Sequence, residues 1–208
     1  MATKVCVVIG NPKRGSRTAS VAVAVADAVL GGAAEITLVE LADLAPGLLG
    51  GGDEQVAAAK HQVLDSELLV VASPVYKASI TGLLKAFLDQ FGRDEFAAKA
   101  TVPVMVGAGA GHALAVEHQL RPVLVEIGAS CPTRGLYILE SRLDQLSKVV
   151  DDWLTVWGAP LRAVVGSAQA RVLPSSAATR STSTSAPTAS PVTAMHVRAG
   201  RGGLNHRE

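Results

Sequence analysis

The chain has 208 residues, 49% of them apolar, and a formal net charge of +1. That length suits one domain with a terminal extension, and that apolar share is enough for a sizeable core. With charge near balance and no basic block inside the apolar-patterned part, nucleic-acid binding has little support, and no apolar run approaches the roughly 18 residues of a membrane span.

Val5-Cys6-Val7-Val8-Ile9 is a short continuous apolar run, the pattern of a parallel strand covered on both faces. It runs into Gly10-Asn11-Pro12-Lys13-Arg14-Gly15-Ser16-Arg17-Thr18-Ala19-Ser20, a loop opening a helix. The first N–H groups of a helix have no partner inside it and sit at the positive end of its dipole, so they suit an anion. Ser16, Thr18 and Ser20 add hydroxyls, Arg17 adds a fork that fits phosphate oxygens, and Asn11 and Lys13 stand beside them. The stretch reads as a phosphate cradle. Gly10 and Gly15 have the spacing of a nucleoside-triphosphate loop, but Ser16 stands where that loop needs lysine. The three glycines of a dinucleotide fingerprint are missing. An ordinary capped turn remains open as the plain alternative.

Residues 17–30 alternate large and small at Val21–Val25, yet Val21, Val25, Ala28 and Val29 also share a helical face. The length and the alanine content favour a helix closed by Gly31-Gly32. Residues 35–41 read as a second strand. Residues 42–53, with Pro46 and Gly50–Gly52, read as a wide mobile flap. Residues 54–66 form a helix with Val56, Ala59, Val63 and Leu64 inward, and 68–72 a third strand.

Ser73–Gly82 leaves that strand for a helix over 83–90. Residues 102–106 make a fourth strand, with Pro103 expected near its start. Gly107–His112 follows, then a helix over about 113–128. Inside it Pro122 removes the helical partner of the His118 carbonyl, which predicts a kink or π-bulge there. Residues 136–139 are a fifth strand. In the last helix Leu143, Leu146, Val149, Val150, Trp153, Leu154 and Trp157 share a face; Ser141 with Asp144 resembles a capping box, and Gly158 with Pro160 marks the end. The composition changes after about Gly166, which sets the first domain at residues 1–166.

Residues 167–208 are rich in Ser, Thr, Ala and Pro and carry five arginines against one acid. That is +4, which leaves −3 on residues 1–166. Such a segment buries too little apolar surface to offset its ordering entropy and is expected to be disordered. Cys6 is expected in the core, and Cys131 has no partner spacing for a metal or redox pair, so a reduced, cytoplasmic protein is expected. The five-residue apolar run after Lys4 is too short for a signal peptide.

Strands alternating with helices imply an α/β fold with a parallel sheet, whose ligands bind outside the carboxyl ends of the strands. The loops after strands one, three and four share that edge. A phosphate seat, a turn at Pro74–Tyr76 and the glycine-rich Gly107–Gly111 suit a mononucleotide with a flat head, such as flavin mononucleotide (FMN).

Ser73-Pro74-Val75-Tyr76-Lys77-Ala78-Ser79 with Thr81-Gly82-Leu83-Leu84-Lys85 resembles the NADPH-dependent FMN reductase family of flavodoxin-like proteins. Asn11–Thr18 and Gly107–His112 bring it nearest to the flavin reductases of alkanesulfonate and methanesulfonate monooxygenase systems, over residues 4 to about 158. The resemblance implies a three-layer flavodoxin-like sandwich with strand order 2-1-3-4-5. It implies FMN and NAD(P)H as cofactors, and hydride transfer that rests on stacking rather than on a protein acid or base, so no catalytic residue is nominated. Ser16, Arg17 and Thr18 would hold the phosphate, with Asn11 where many members have serine. Pro74, Val75, Tyr76 and Lys77 would line the isoalloxazine, and Gly107, Ala108, Gly109, Ala110, Gly111 and His112 its pyrimidine edge. Some relatives carry a π-bulge at the position of His118, with tyrosine there, at a subunit interface. Histidine stacks less strongly, which favours dissociable flavin; the alternative is a solvent-facing histidine. The implied partners are a transiently bound FMNH2-dependent monooxygenase and further copies of the chain, as homodimer or homotetramer. A flavin-retaining quinone or azo reductase, a flavodoxin-type carrier and a regulatory FMN-binding module remain alternatives, the carrier disfavoured by the modest charge of −3.

Overall fold

The computed structural model describes residues 3–31, 35–97 and 99–172, with side chains as far as 166. Five strands, β1 (Lys4–Ile9), β2 (Glu35–Glu40), β3 (Leu68–Pro74), β4 (Ala100–Gly107) and β5 (Leu136–Leu139), form one parallel sheet in the order 2-1-3-4-5. This is the flavodoxin-like order expected. The chain steps from β1 outward to β2 and then crosses back past β1 to β3. Strand order therefore reverses between β1 and β3, which opens a crevice at their carboxyl ends.

Helices cover both faces. On one, Val5, Val7, Ile9, Val70 and Val102 pack against α1 (Arg17–Leu30) and α6 (Leu146–Val172) through Val21, Val25, Trp153 and Leu161. On the other, Cys6, Val8, Leu69, Val71 and Met105 meet α2 (Leu41–Leu44), α3 (Glu54–Asp65), α4 (Gly82–Leu88) and α5 (Arg121–Glu126) through Leu41, Val63, Phe87 and Leu124. Both faces of the central strands are buried, which is why they read as unbroken apolar runs.

Four expectations are corrected. The predicted flap at 42–53 is anchored: Leu41, Leu44 and Leu48 are buried, and Gln90 Nε2 donates to Leu48 O at 3.3 Å. Leu41, Leu44 and Leu48 are spaced i, i+3, i+7, a helical face, but Pro46 and Gly50–Gly52 make the stretch read as loop. Pro103 sits mid-strand. The neighbouring Thr101 N–H donates outward to Ser130 O, and strand alternation aims the Pro103 nitrogen the same way, where β5 begins only at Leu136 opposite Val104. No ladder bond is lost there.

The last helix does not stop at Gly158-Pro160. Pro160 lies inside α6, which runs to Val172. Its missing N–H would have met Val156, which is 63% exposed, so water can take that carbonyl, while Leu161 and Val165 beyond the proline are buried against the sheet. The capping box is also absent: residues 140–145 form a 3₁₀ turn capped by Leu139 with no side-chain bond. The expected disorder of 167–208 concerns residues that, apart from the backbone of 167–172, lie outside the described ones.

The π-bulge is present. Val116–Leu120 is a π-turn, in which Arg121 N–H reaches back to Val116 O, and His118 within it is exposed. Pro122 accounts for it, since a proline cannot continue the α-helical ladder.

Candidate functional site

The first loop is built by its own polar groups. Ser16 caps α1 by accepting from Ala19 N–H at 3.2 Å, and Gly15 takes the left-handed conformation (φ 58°) that starts the turn. Asn11 Oδ1 accepts from Lys13 N–H at 2.8 Å, and its Nδ2 donates to Thr18 Oγ1 at 3.2 Å. Asn11 thus braces the loop, and Thr18 is buried beneath it. As first-turn residues, Arg17 and Thr18 have N–H groups with no partner inside α1, so both face outward along its axis. Arg17 is exposed and pairs with Glu140 at 3.1 Å, while Lys13 is exposed with no carboxylate within 4 Å among the described residues.

The second loop is a two-residue hairpin. Tyr76 and Ser79 exchange both N–H···O bonds at 2.9 Å, with Lys77 (φ 50°) and Ala78 (φ 61°) left-handed between them. Non-glycine residues there cost roughly 1–2 kcal/mol each. Pro74 is buried as the last residue of β3, Val75 N–H is tied to Val106 O at 2.8 Å, and Ser79 Oγ donates to Gln119 Oε1 at 3.2 Å. The strain is therefore held from both sides. Tyr76 is not a core aromatic: it is 51% exposed.

The third loop leaves β4 at Gly107 and passes through Ala108 and Gly109 into the 3₁₀ turn Ala110–His112, all exposed beyond Gly107. Tyr137 Oη donates to Gly109 O at 2.6 Å. A Cβ on Gly107 would collide with that hydroxyl, so glycine is required there for a different reason from the ring approach expected. Because a trans peptide is planar, holding the Gly109 carbonyl toward Tyr137 turns the Ala110 N–H the opposite way. Gly109 and Gly111 have no atom within 4 Å of where a Cβ would stand, so they border open space.

Thr81 joins the first two loops. Its Oγ1 donates to Gly10 O at 2.6 Å and accepts from Leu84 N–H at 3.1 Å, capping α4. Gly10 must also be glycine, since a Cβ there would lie 2.6 Å from that of Leu84. Glu117 and Arg121 brace the π-turn: Arg121 Nε meets Glu117 Oε2 at 2.5 Å and its other nitrogens reach the carbonyls of Cys131 and Thr133, while Gly135 N–H donates to Glu117 Oε1 at 2.6 Å. Burial opposes the Glu117 charge, but the hydrogen bonds from Arg121 and Gly135 and the Arg121 charge together bring its carboxyl below the usual 4.5. Burial pushes the Cys6 thiol up to about 12 and the Cys131 thiol up to about 11, so neither is a ready nucleophile.

All three loops therefore emerge at one sheet edge: Thr81 ties the second to the first, Val75 ties the second to β4, and Tyr137 ties the third to β5. Thr81, Tyr137, Glu117 and Glu140 were not singled out for the site in the sequence. Thr81 could have been, as a Thr before an apolar helix is a cap signature; the others act through distant contacts with no local pattern. The three loops form an open shelf. A concavity of ≈ 460 Å³ lies elsewhere, between α4 and α5, lined by Leu88, Phe91, Pro122 and Val123 among others.

A family model described as NADPH-dependent FMN reductase matches residues 3–144. The chain belongs to that family. As an FMN reductase it is an enzyme that couples reduced nicotinamide to FMN, which the motifs at Asn11–Thr18 and Ser73–Lys85 implied. It is similar to the NADH-dependent FMN reductase SfnF of Pseudomonas putida (31% identity over 149 residues, 68% of this chain and 80% of that protein). It is also similar to an FMN reductase (NADPH) of Pseudomonas aeruginosa (35% identity over 181 residues, 82% and 91%). Among solved structures, an apo NADH:FMN oxidoreductase (EMOB) superimposes with TM-score 0.69 at 30% identity, covering 80% of this reductase and 90% of that chain. Among the described residues no helix is long and apolar enough to cross a membrane, and no cluster of His, Cys, Asp and Glu could hold a metal ion.

The donor set of the reductase fits FMN chemically. Two outward N–H groups on α1, the Arg17 guanidinium and the Lys13 ammonium can meet a phosphate monoester, and the exposed loop backbone can meet the polar edge of a flat ring.

Proposed function

We propose that this reductase seats FMN across the three loops, reduces it with NAD(P)H, and releases the reduced flavin to an FMNH2-dependent monooxygenase of the sulfonate-desulfonating kind. The observation that supports release rather than retention is the open shelf: Tyr76 and residues 108–112 stand exposed among the described residues. In this reading Arg17, Lys13 and the N–H groups of Arg17 and Thr18 hold the phosphate, with Ser16 and Asn11 fixing the turn that presents them. Pro74–Lys77 forms one wall, its strained turn keeping Tyr76 at the mouth. Gly107–His112 forms the other, with its peptides oriented through Tyr137. FMN supplies the redox chemistry when bound, taking up a hydride equivalent from nicotinamide. The protein's part is alignment and partial exclusion of water, which needs no acid or base side chain.

The protein is assigned to the cytoplasm, where nicotinamide and thiols are reduced, and to a homodimer or homotetramer. Leu114 and Val125, exposed apolar residues flanking the π-turn, support self-association.

Steady-state oxidation of NADH and NADPH, with and without added FMN, tests the reading. The expected result is turnover that requires added FMN and stops when it is removed by gel filtration. Turnover with tightly retained flavin and a quinone acceptor, but not with free FMN, overturns it in favour of a quinone reductase.

A further inference from the structure

The phosphate cradle carries carboxylates as well as cations. Its three cations are Lys13, Arg14 and Arg17, and three carboxylates stand at the same loop, two of them paired with arginines. Arg14 pairs with Asp43 at 3.1 Å, and Arg17 with Glu140 at 3.1 Å. Glu40, at the end of β2, takes the Gly15 N–H at 3.2 Å, and its Oε2 is buried with no hydrogen-bond partner. Two of the three cations are thus paired, Lys13 has no carboxylate within 4 Å among the described residues, and the Glu40 charge lies at the turn itself.

Glu140 is the carboxylate placed to matter most. It follows directly on β5, and its Oε2 lies 3.1 Å from Arg17 Nη2. The pair is exposed, 67% and 36%. Such a pair is too weak to orient a guanidinium, since exposed pairs contribute about 0.2–1 kcal/mol. The Glu140 charge nevertheless stays beside Arg17, competing for it and repelling an arriving phosphate.

We infer that Glu140 is an affinity-setting residue: it competes with the FMN phosphate for Arg17, and so keeps FMN a dissociable substrate rather than a retained group. The inference rests on the reading of Arg17 as a phosphate contact. Removing the competing charge should tighten FMN about fivefold, the upper value of an exposed pair converted to affinity. The gain should shrink at about 0.5 M salt, because the effect is electrostatic and partly exposed. Riboflavin, which has the same ring and no phosphate, should be unaffected.

The test titrates FMN and riboflavin into wild type and Glu140→Gln, following quenching of flavin fluorescence at low and high salt. An FMN-specific tightening of about fivefold that fades with salt is the expected result. If wild type prefers FMN over riboflavin but Glu140→Gln binds FMN equally or more weakly, Glu140 orients Arg17 or does nothing, and the inference is overturned with the site reading intact. If Glu140→Gln tightens both flavins alike, the effect does not pass through phosphate and the inference is overturned. If wild type binds FMN no better than riboflavin, the cradle reading itself falls and the inference with it.

Discussion

Replacing Thr81 with valine removes one hydroxyl while keeping the branched shape. In the structure that hydroxyl makes two buried bonds, to Gly10 O at 2.6 Å and from Leu84 N–H at 3.1 Å. Loss of a helix cap costs about 1 kcal/mol, and a buried carbonyl left without its donor costs about 1–3 kcal/mol. Thr81 is only 3% exposed, so water cannot readily replace the hydroxyl. Thr81→Val should therefore destabilise by about 2–3 kcal/mol, a fall in Tm of roughly 5–10 °C for a domain of this size. Thr81→Ser keeps both bonds and should lose under about 1 kcal/mol, the value of one methyl group. Urea unfolding followed by circular dichroism measures both variants, and FMN titration of the folded variants shows whether the junction of the first two loops matters for binding. We expect Thr81→Val to weaken FMN by severalfold at a temperature where it is fully folded. Equal urea midpoints for wild type and Thr81→Val would refute the reasoning, because the Gly10 carbonyl must then find another donor.

Tyr137→Phe deletes the 2.6 Å bond to Gly109 O and leaves the ring in place; FMN should bind about three- to tenfold more weakly by fluorescence titration, with Tm changed by under about 3 °C. Ala78→Gly relieves a left-handed residue (φ 61°) at the tip of the second loop and should stabilise by about 0.5–1 kcal/mol in urea unfolding, since the relief exceeds the entropic cost of glycine. Glu117→Gln should cost about 1–2 kcal/mol at pH 7. The folded Glu117 pKa lies below 4.5, so its contribution is present above 4.5 and lost as pH falls through the folded value. Stability curves of wild type and Glu117→Gln should therefore converge as pH drops below 4.5, and parallel curves down to pH 3 would show that the charge is not what Arg121 and Gly135 hold.

Much of the site lay in short, local patterns. The N-terminal turn of α1 was readable because strand, glycine and Ser16 cap are contiguous, and the π-turn because Pro122 dictates which carbonyl loses its partner. The glycine-rich loop was readable in composition but not in its reason. Gly107 is small because Tyr137, 30 positions later, passes beneath it, and nothing local announces that contact. Arg17 reads as a guanidinium fork that fits phosphate oxygens, but the Glu140 carboxylate 3.1 Å from it comes from the far end of β5 and has no local signature.

Order along the chain determined the alternation of strand and helix, the buried character of β1, β3 and β4, and the edge on which ligand loops must emerge, because period and capping act over a few residues. Only the folded sheet decided the rest. It ran α6 through Pro160, because burial of Leu161 and Val165 outweighs one missing bond on a wet face. It also pinned Leu41–Leu48 to the core and set Glu40, Asp43 and Glu140 against the basic loop. Those outcomes depend on which residues far apart in sequence meet at the end of parallel strands, a fact set by packing and register rather than by any local preference.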